Sequence, residues 1–385
     1  MKATRISGGS AEPSAFRGDA GAGRLPLLGV IPARLRRAAR LASTGHADLL
    51  LQRACAALRL PPFPTRFPSV LVIEPTNRCN LRCPLCPTGS GRLPREARDM
   101  TLAEFRSIVE QARGRSLLVQ LFFCGEPFLN GDLFAMIRCA AQLGIAVETS
   151  TNGMLLSSER GREEIVASGL RHLIVSLDGA DQETLQAYRA GARFETIAAG
   201  VRALVETRDR VAARAGGGRS SRVPTIELQM IVMKQNEHQR SAMLALARDW
   251  GVDWFTEKTL SLMGSPLDDP QANATARGLL PKEPDASRFR VAADGRLAAK
   301  ERPGHCRLIH QTAVILSNGT VVPCCYDGEG NHPLGNVFES RLEDIWNGEG
   351  MRAFRSLVHA HRDRVPMCAG CPEGRRPLVL RRTRL

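Results

Sequence analysis

The sequence predicts an α/β fold followed by a small cysteine-rich module. Between residues 70 and 260, six short apolar runs alternate with helix-length amphipathic segments. Beyond residue 305, five cysteines fall in one stretch of the chain. Strands joined by crossover helices pair in parallel, so helices cover the outside of a sheet that closes fully or partly into a barrel.

Taken in order, residues 1–30 are rich in Gly, Ala, Ser and Arg and read as disordered. Ala33–Leu60 reads as helical with a break near Ser43–Gly45, and the run PPFPTRFP leads into the first strand, Val70–Glu74. Further strands are expected at Leu117–Phe123, Ile145–Ser150, His172–Leu177, Thr225–Met233 and Val252–Thr256. The first helix starts at Thr101, whose partner three residues on is Glu104, the pattern of a capping box. Other helices are expected near Asp132–Leu143, Ser158–Ser168, Gln182–Val205 and His238–Trp250. Gly216, Gly217 and Gly218 mark a surface loop in the fourth crossover. The resulting division is a basic N-terminal extension over 1–66, the barrel over 67–260, a linker or insertion without clear period over 261–304, the cysteine-rich module over 305–372 and a basic tail over 373–385.

A chain of 385 residues with 43% hydrophobic composition can bury one large core and a smaller one. No apolar run approaches the roughly 20 residues that span a bilayer, and the first residues lack the apolar region of a secretory signal. Eleven cysteines in tight clusters of a long chain favour metal ligation in a reducing compartment, so a cytoplasmic location is expected. The net charge of +14 sits at the ends: eleven basic against three acidic residues over 1–66, and five against one after Cys371. Such ends attract polyanions, but no aromatic residues interleave with the arginines, which speaks against specific nucleic-acid binding. Leu35, Leu49, Leu50 and Leu51 with flanking arginines suit weak contact with a membrane surface. The sequon at Asn273 is irrelevant in a cytosolic protein.

Cys79, Cys83 and Cys86 form a C-x3-C-x2-C triplet just past the first strand. Three thiolates hold one metal centre and leave it one ligand short; structural zinc sites are closed by four ligands, and iron–sulfur clusters are held by cysteines at such short spacings. The alternatives are a fragment of a zinc site or buried reduced thiols. Three more motifs end the following strands: Cys124-Gly125-Glu126-Pro127, Ser150-Thr151-Asn152-Gly153 and Ser176-Leu177-Asp178-Gly179. All fall at the carboxyl ends of parallel strands, where α/β enzymes keep their active sites. Lys234 and Lys258 end strands five and six and are candidates to face a substrate. Cys55 and Cys139 read as packed helix residues, and Cys124, near the site, as a buried thiol or, alternatively, a hydrogen-atom donor.

The triplet in its context CNLRCPLC resembles the radical S-adenosylmethionine (SAM) enzymes, and over roughly residues 68–260 the later motifs extend the likeness. The resemblance implies a partial (β/α)6 TIM-like barrel. It implies that Cys79, Cys83 and Cys86 hold three irons of a 4Fe-4S cluster whose fourth iron chelates SAM. By the same likeness Glu126 contacts the SAM amino group, with Cys124 standing where the family has a glycine. Ser150 and Asn152 are candidates for the ribose hydroxyls, and Ser176 and Asp178 line the SAM pocket or the substrate side. Arg189 is expected to neutralise the SAM carboxylate, a match of planar guanidinium to carboxylate.

Cys306, Cys324, Cys325, Cys368 and Cys371 suit either a zinc site or a cluster on spacing alone. After such a barrel they resemble the SPASM and Twitch auxiliary-cluster domains, which implies Cys306, Cys324, Cys368 and Cys371 as ligands of one auxiliary 4Fe-4S cluster; Cys325 could replace Cys324. The expected function is a SAM-cleaving radical enzyme that oxidises a small alcohol or sugar-like metabolite, with the auxiliary cluster as electron acceptor and a flavodoxin or ferredoxin as reductant. The alternatives are maturation of a peptide and modification of a lipid.

Overall fold

The computed structural model describes residues 64–216, 222–262, 269–300, 306–369, 371–373 and 379–385. The expectations for Ala33–Leu60, for Cys55 and for most of the basic extension lie outside the described residues.

Strands β1 (Val70–Ile73), β2 (Leu118–Gln120), β3 (Ala146–Thr151), β4 (His172–Ser176), β5 (Thr225–Val232) and β6 (Trp254–Thr259) lie side by side in chain order, every pair parallel. The crossovers carry α1 (Leu102–Ala112), α2 (Leu133–Gln142), α3 (Glu159–Ala167), α4 (Gln182–Gln186), α5 (Phe194–Arg214) and α6 (Arg240–Asp249). The sheet bends into a partial TIM-like barrel, since β1 and β6 take other neighbours instead of each other. The sequence explains the layering. On β3, Val147, Thr149 and Thr151 are buried under the helices while Glu148 and Ser150 face the other way, the two-residue alternation of a strand. On α2, Leu133, Met136, Ile137 and Ala140 form the buried stripe. The capping box at Thr101 is formed: its hydroxyl accepts the Glu104 N–H, and its own N–H donates to the Glu104 carboxylate at 2.9 Å.

Three expectations change. The single helix expected over Gln182–Val205 is broken between α4 and α5, because Gly191 takes φ +94°, which stops a helix. The 261–304 stretch is not featureless: it holds α7 (Pro270–Leu279), capped by Asp269, and a hairpin of β7 (Phe289–Val291) and β8 (Leu297–Ala299). Asn273 is buried in α7 and accepts the Leu297 N–H at 3.1 Å, so its role there is structural. The residues expected as a basic tail form β12 (Val379–Arg384), antiparallel to β6; short, Arg-rich and mostly exposed, that strand carries almost no apolar period.

The cysteine-rich module also joins the barrel sheet. Its β9 (Thr312–Ile315) pairs parallel to β1, and β10 (Thr320–Val322) and β11 (Gly335–Asn336) follow antiparallel. Its helices are α8 (Leu342–Trp346), α9 (Glu349–His361) and α10 (Pro366–Ala369). Trp346 is buried and donates its indole N–H to the Thr65 carbonyl at 2.7 Å, fastening the module to the barrel entrance. No helix among the described residues is long and apolar enough to cross a membrane.

Candidate active site

The carboxyl ends of the strands surround a cavity of about 200 Å³. Cys79, Cys83 and Cys86 line it together with Glu126, Ser150, Asn152 and Ser176 from the ends of β2, β3 and β4, and with Arg189. Residues from four separate crossovers thus meet at one place.

The triplet loop is tightly wound. The Cys86 N–H donates to the Cys83 carbonyl at 3.2 Å, and the Leu81 N–H points at the Cys79 sulfur at 3.4 Å. A Cβ on Gly89 would stand 2.6 Å from the Cys83 nitrogen, and one on Gly125 only 2.5 Å from the Thr76 carbonyl oxygen. Gly125 also has φ +87°, so the loop wraps backbone that only glycine supplies. Burial pushes the Cys83 thiol up to about 12 and raises Cys79 as well. Thiols in that state are protonated until a metal takes the proton's place, so the donor set suits a metal centre.

Glu126 is buried and its carboxylate is held by backbone. One oxygen accepts the Asn152 N–H at 2.7 Å and the other the Phe128 N–H at 3.2 Å. Burial still outweighs these bonds and pushes its pKa up to about 6. The Asn152 side chain donates to Asn80, next to Cys79, at 2.7 Å, which fixes the triplet loop against the end of β3.

Arg189 stands in the break between α4 and α5. Its Nε donates to Asp178 at 2.7 Å, and only 13% of its side chain is exposed. Burial alone would lower its pKa; the charge of Asp178 more than offsets that and raises it. Asp178 itself is fully buried behind Arg189 and off the cavity wall. Of the two places expected for Asp178, the SAM pocket or the substrate side, the cavity lining does not include it: it accepts Arg189 on one oxygen and the Ile231 N–H on the other, at 2.7 Å. Ser176 does line the cavity.

Lys258 is half-buried on β6, in register with Ile231 of the cavity wall. Its neighbour Glu257 turns outward to Arg240 of α6, so alternation points Lys258 into the barrel. Burial lowers its pKa; the Glu227 charge opposes that, while Arg288, just before β7, adds to it. Lys234 differs: it is exposed and lines a separate cavity with Lys282. Cys139 is half-buried on α2. Cys124 is buried; burial raises its pKa, the Glu74 charge adds to that, and Gly328 of the second module packs close to its sulfur.

In the second module, Cys306, Cys324, Cys368 and Cys371 come together. Cys324 acts electrostatically on each of the other three, and burial holds Cys368 and Cys371 up at about 12. Cys324 is buried and Cys325 half-buried, and the adjacent Cys325 thiol pushes the Cys324 pKa up, with burial adding to that. Among the described residues no three His, Cys, Asp or Glu side chains are drawn into the tight shell of a single metal ion. Tyr326 follows the pair; its hydroxyl donates to Glu373 at 3.0 Å and accepts from the buried Arg288 at 3.2 Å. A second tie runs from Arg95, which grips Glu74 with two bonds of 2.8 Å and donates to the Gly328 carbonyl at 3.0 Å.

Sequence reasoning missed Tyr188, Phe122, Phe123 and Ile231 on the cavity wall. Tyr188 was within reach of it, since it precedes Arg189 in the same turn. The aromatic and apolar positions read as ordinary core.

The Radical SAM superfamily model matches residues 73–219, and the SPASM iron–sulfur cluster-binding domain model matches residues 306–372. The PqqA peptide cyclase of Xanthomonas campestris is 26% identical over 328 residues, 80% of each chain. The tungsten-containing aldehyde ferredoxin oxidoreductase cofactor-modifying protein of Pyrococcus furiosus is 27% identical over 78% of this chain and 86% of its own. Among solved structures, Streptococcus suis SuiB bound to precursor peptide SuiA superposes with a TM-score of 0.56 at 19% identity, covering 80% of this chain and 70% of that one, a likeness of fold.

Proposed function

From the premise that this chain is a radical SAM enzyme with a SPASM domain, we propose that it matures a peptide substrate by removing hydrogen from it. The similarity to PqqA peptide cyclases over 80% of both chains carries this reading. It displaces the small-alcohol oxidation that the sequence placed first, which finds no support among these relatives.

A 4Fe-4S cluster with SAM, once bound, would supply the radical chemistry for hydrogen removal, and an auxiliary cluster would supply a site for the electron left behind. The chain's own residues provide everything around that chemistry. Cys79, Cys83 and Cys86 would hold the first cluster, and Cys306, Cys324, Cys368 and Cys371 the second. Glu126 receives the SAM ammonium, an ionised carboxylate already aimed by two backbone N–H groups. Ser150 and Asn152 stand at the ribose position, Ser176 at the pocket floor. Arg189 meets the SAM carboxylate, and Asp178 holds that guanidinium in place. The peptide lies between the cavity and the second module, where Lys258 faces it and can pair with a carboxylate.

The test begins with the short open reading frames beside the gene. A synthetic peptide from one of them is expected to bind the reconstituted, SAM-loaded protein in calorimetry. Absence of binding for every such peptide, alongside turnover of a small alcohol, would overturn the reading.

A further inference from the structure

Arg362 begins the short helical turn Arg362–Arg364, just before the helix that carries Cys368. Its Nη2 is anchored on the Glu373 carbonyl at 3.2 Å, two residues past Cys371. The rest of the guanidinium is not satisfied. Its Nε and Nη1 are both buried with no hydrogen-bond partner. Its charge acts on the thiols of Cys306, Cys368 and Cys371, three of the four that gather here. No carboxylate pairs with it by salt bridge among the described residues, whereas the nearby Arg288 is neutralised by Glu373 at 2.6 Å.

Buried donors without partners are costly, each worth about 1–3 kcal/mol. A guanidinium whose Nε and Nη1 donors are orphaned, tied by Nη2 to the carbonyl two residues past Cys371, therefore calls for an acceptor that the protein does not provide. An iron–sulfur cluster carries acceptor sulfurs and a net negative charge that grows on reduction, and hydrogen bonds to its sulfurs are among the determinants of its potential. We propose that Arg362 donates from Nε and Nη1 to sulfurs of the auxiliary cluster and raises its reduction potential, tuning it as an electron acceptor.

The direction follows from charge. A fixed cation and two donors stabilise the reduced, more negative state more than the oxidised one, so removing them makes reduction harder. The Glu373 carbonyl fixes the guanidinium in position, so the field is built in before the electron arrives. The proposal rests on reading Cys306, Cys324, Cys368 and Cys371 as the ligands of that cluster.

Two measurements on the full reconstituted chain test it. In protein labelled with 15N-arginine and reduced, pulsed EPR of the auxiliary cluster is expected to show coupling to an arginine nitrogen that vanishes in Arg362→Gln. In redox titrations, Arg362→Gln is expected to disfavour the reduced state about tenfold, about 59 mV for one electron, and Arg362→Lys to fall in between. The spectrum is read on the unsubstituted protein, so it does not depend on any variant folding. No arginine coupling in a chain that carries the auxiliary signal would overturn the proposal. Absence of the auxiliary signal altogether would instead overturn the ligand assignment beneath it.

Discussion

Asp178 and Arg189 form an enclosed ion pair, Nε to Oδ2 at 2.7 Å, and the remaining oxygen of Asp178 accepts the Ile231 N–H at 2.7 Å. One carboxylate thus ties the turn after α4 to the end of β5. Removing a single partner from such a pair leaves a buried charge uncompensated, which costs about 3–5 kcal/mol. Asp178→Ala and Arg189→Met are therefore each expected to unfold at clearly lower urea than the parent protein. Both should weaken SAM binding. Equal midpoints for Asp178→Ala and the parent protein would contradict the role given to the pair.

Glu126 links pH to both stability and binding. Its pKa is raised to about 6 from the ordinary 4.5, so the folded state holds this proton more tightly than the unfolded one. Between those two values stability therefore falls as pH rises, and above pH 6 the ionised carboxylate costs about 2 kcal/mol. Glu126→Gln should be more stable than the parent at pH 7.5, and the difference should vanish by pH 4.5. With Glu126 in its proposed role beside the SAM ammonium, SAM affinity should follow the opposite course. It should fall about tenfold between pH 7 and pH 5 in equilibrium dialysis, with no such step in Glu126→Gln.

Gly125 has no room for a side chain. With φ +87° and a Cβ position 2.5 Å from the Thr76 carbonyl, Gly125→Ala forces both an unfavourable backbone state and a clash. The combined cost is about 2–4 kcal/mol. Thermal melts should show it, and the displaced Glu126 should lower SAM affinity as well.

The reach of the sequence is uneven for physical reasons. The barrel was legible because its strands and helices carry strong two-fold and 3.6-fold periods, as in α2 and β3. The capping box at Thr101 was legible because its bonds are local. The join between the cysteine-rich module and β1 was not, since the pairing of Val70 with Thr312 spans most of the chain. Nor was β12, which gains its order from β6 and not from its own pattern. At the site, the motifs drew attention to Glu126 and Arg189, which share the cavity lining with the triplet, but could not show that Asp178 stands behind Arg189. A carboxylate at a strand end looks the same in sequence whether it faces the cavity or backs the residue that does.

Iron content separates the two cysteine groups. The reconstituted chain should carry about eight irons, four per cluster. Replacing Cys79, Cys83 and Cys86 by alanine should leave about four, and so should replacing Cys368 and Cys371. Cys325→Ala should keep the full content while Cys324→Ala loses the auxiliary share, because the buried thiol is the one whose charge acts on the other three. The reverse pattern would exchange their roles.

The central claim is that hydrogen removed by this enzyme comes from a peptide. Mass spectrometry of the precursor peptide after anaerobic incubation with the reconstituted protein, SAM and dithionite tests it most directly. The account predicts a product lighter by two hydrogen atoms, formed together with 5′-deoxyadenosine and absent when Cys79, Cys83 and Cys86 are replaced. 5′-Deoxyadenosine formed at the same rate with and without peptide, with every peptide recovered at its starting mass, would contradict it.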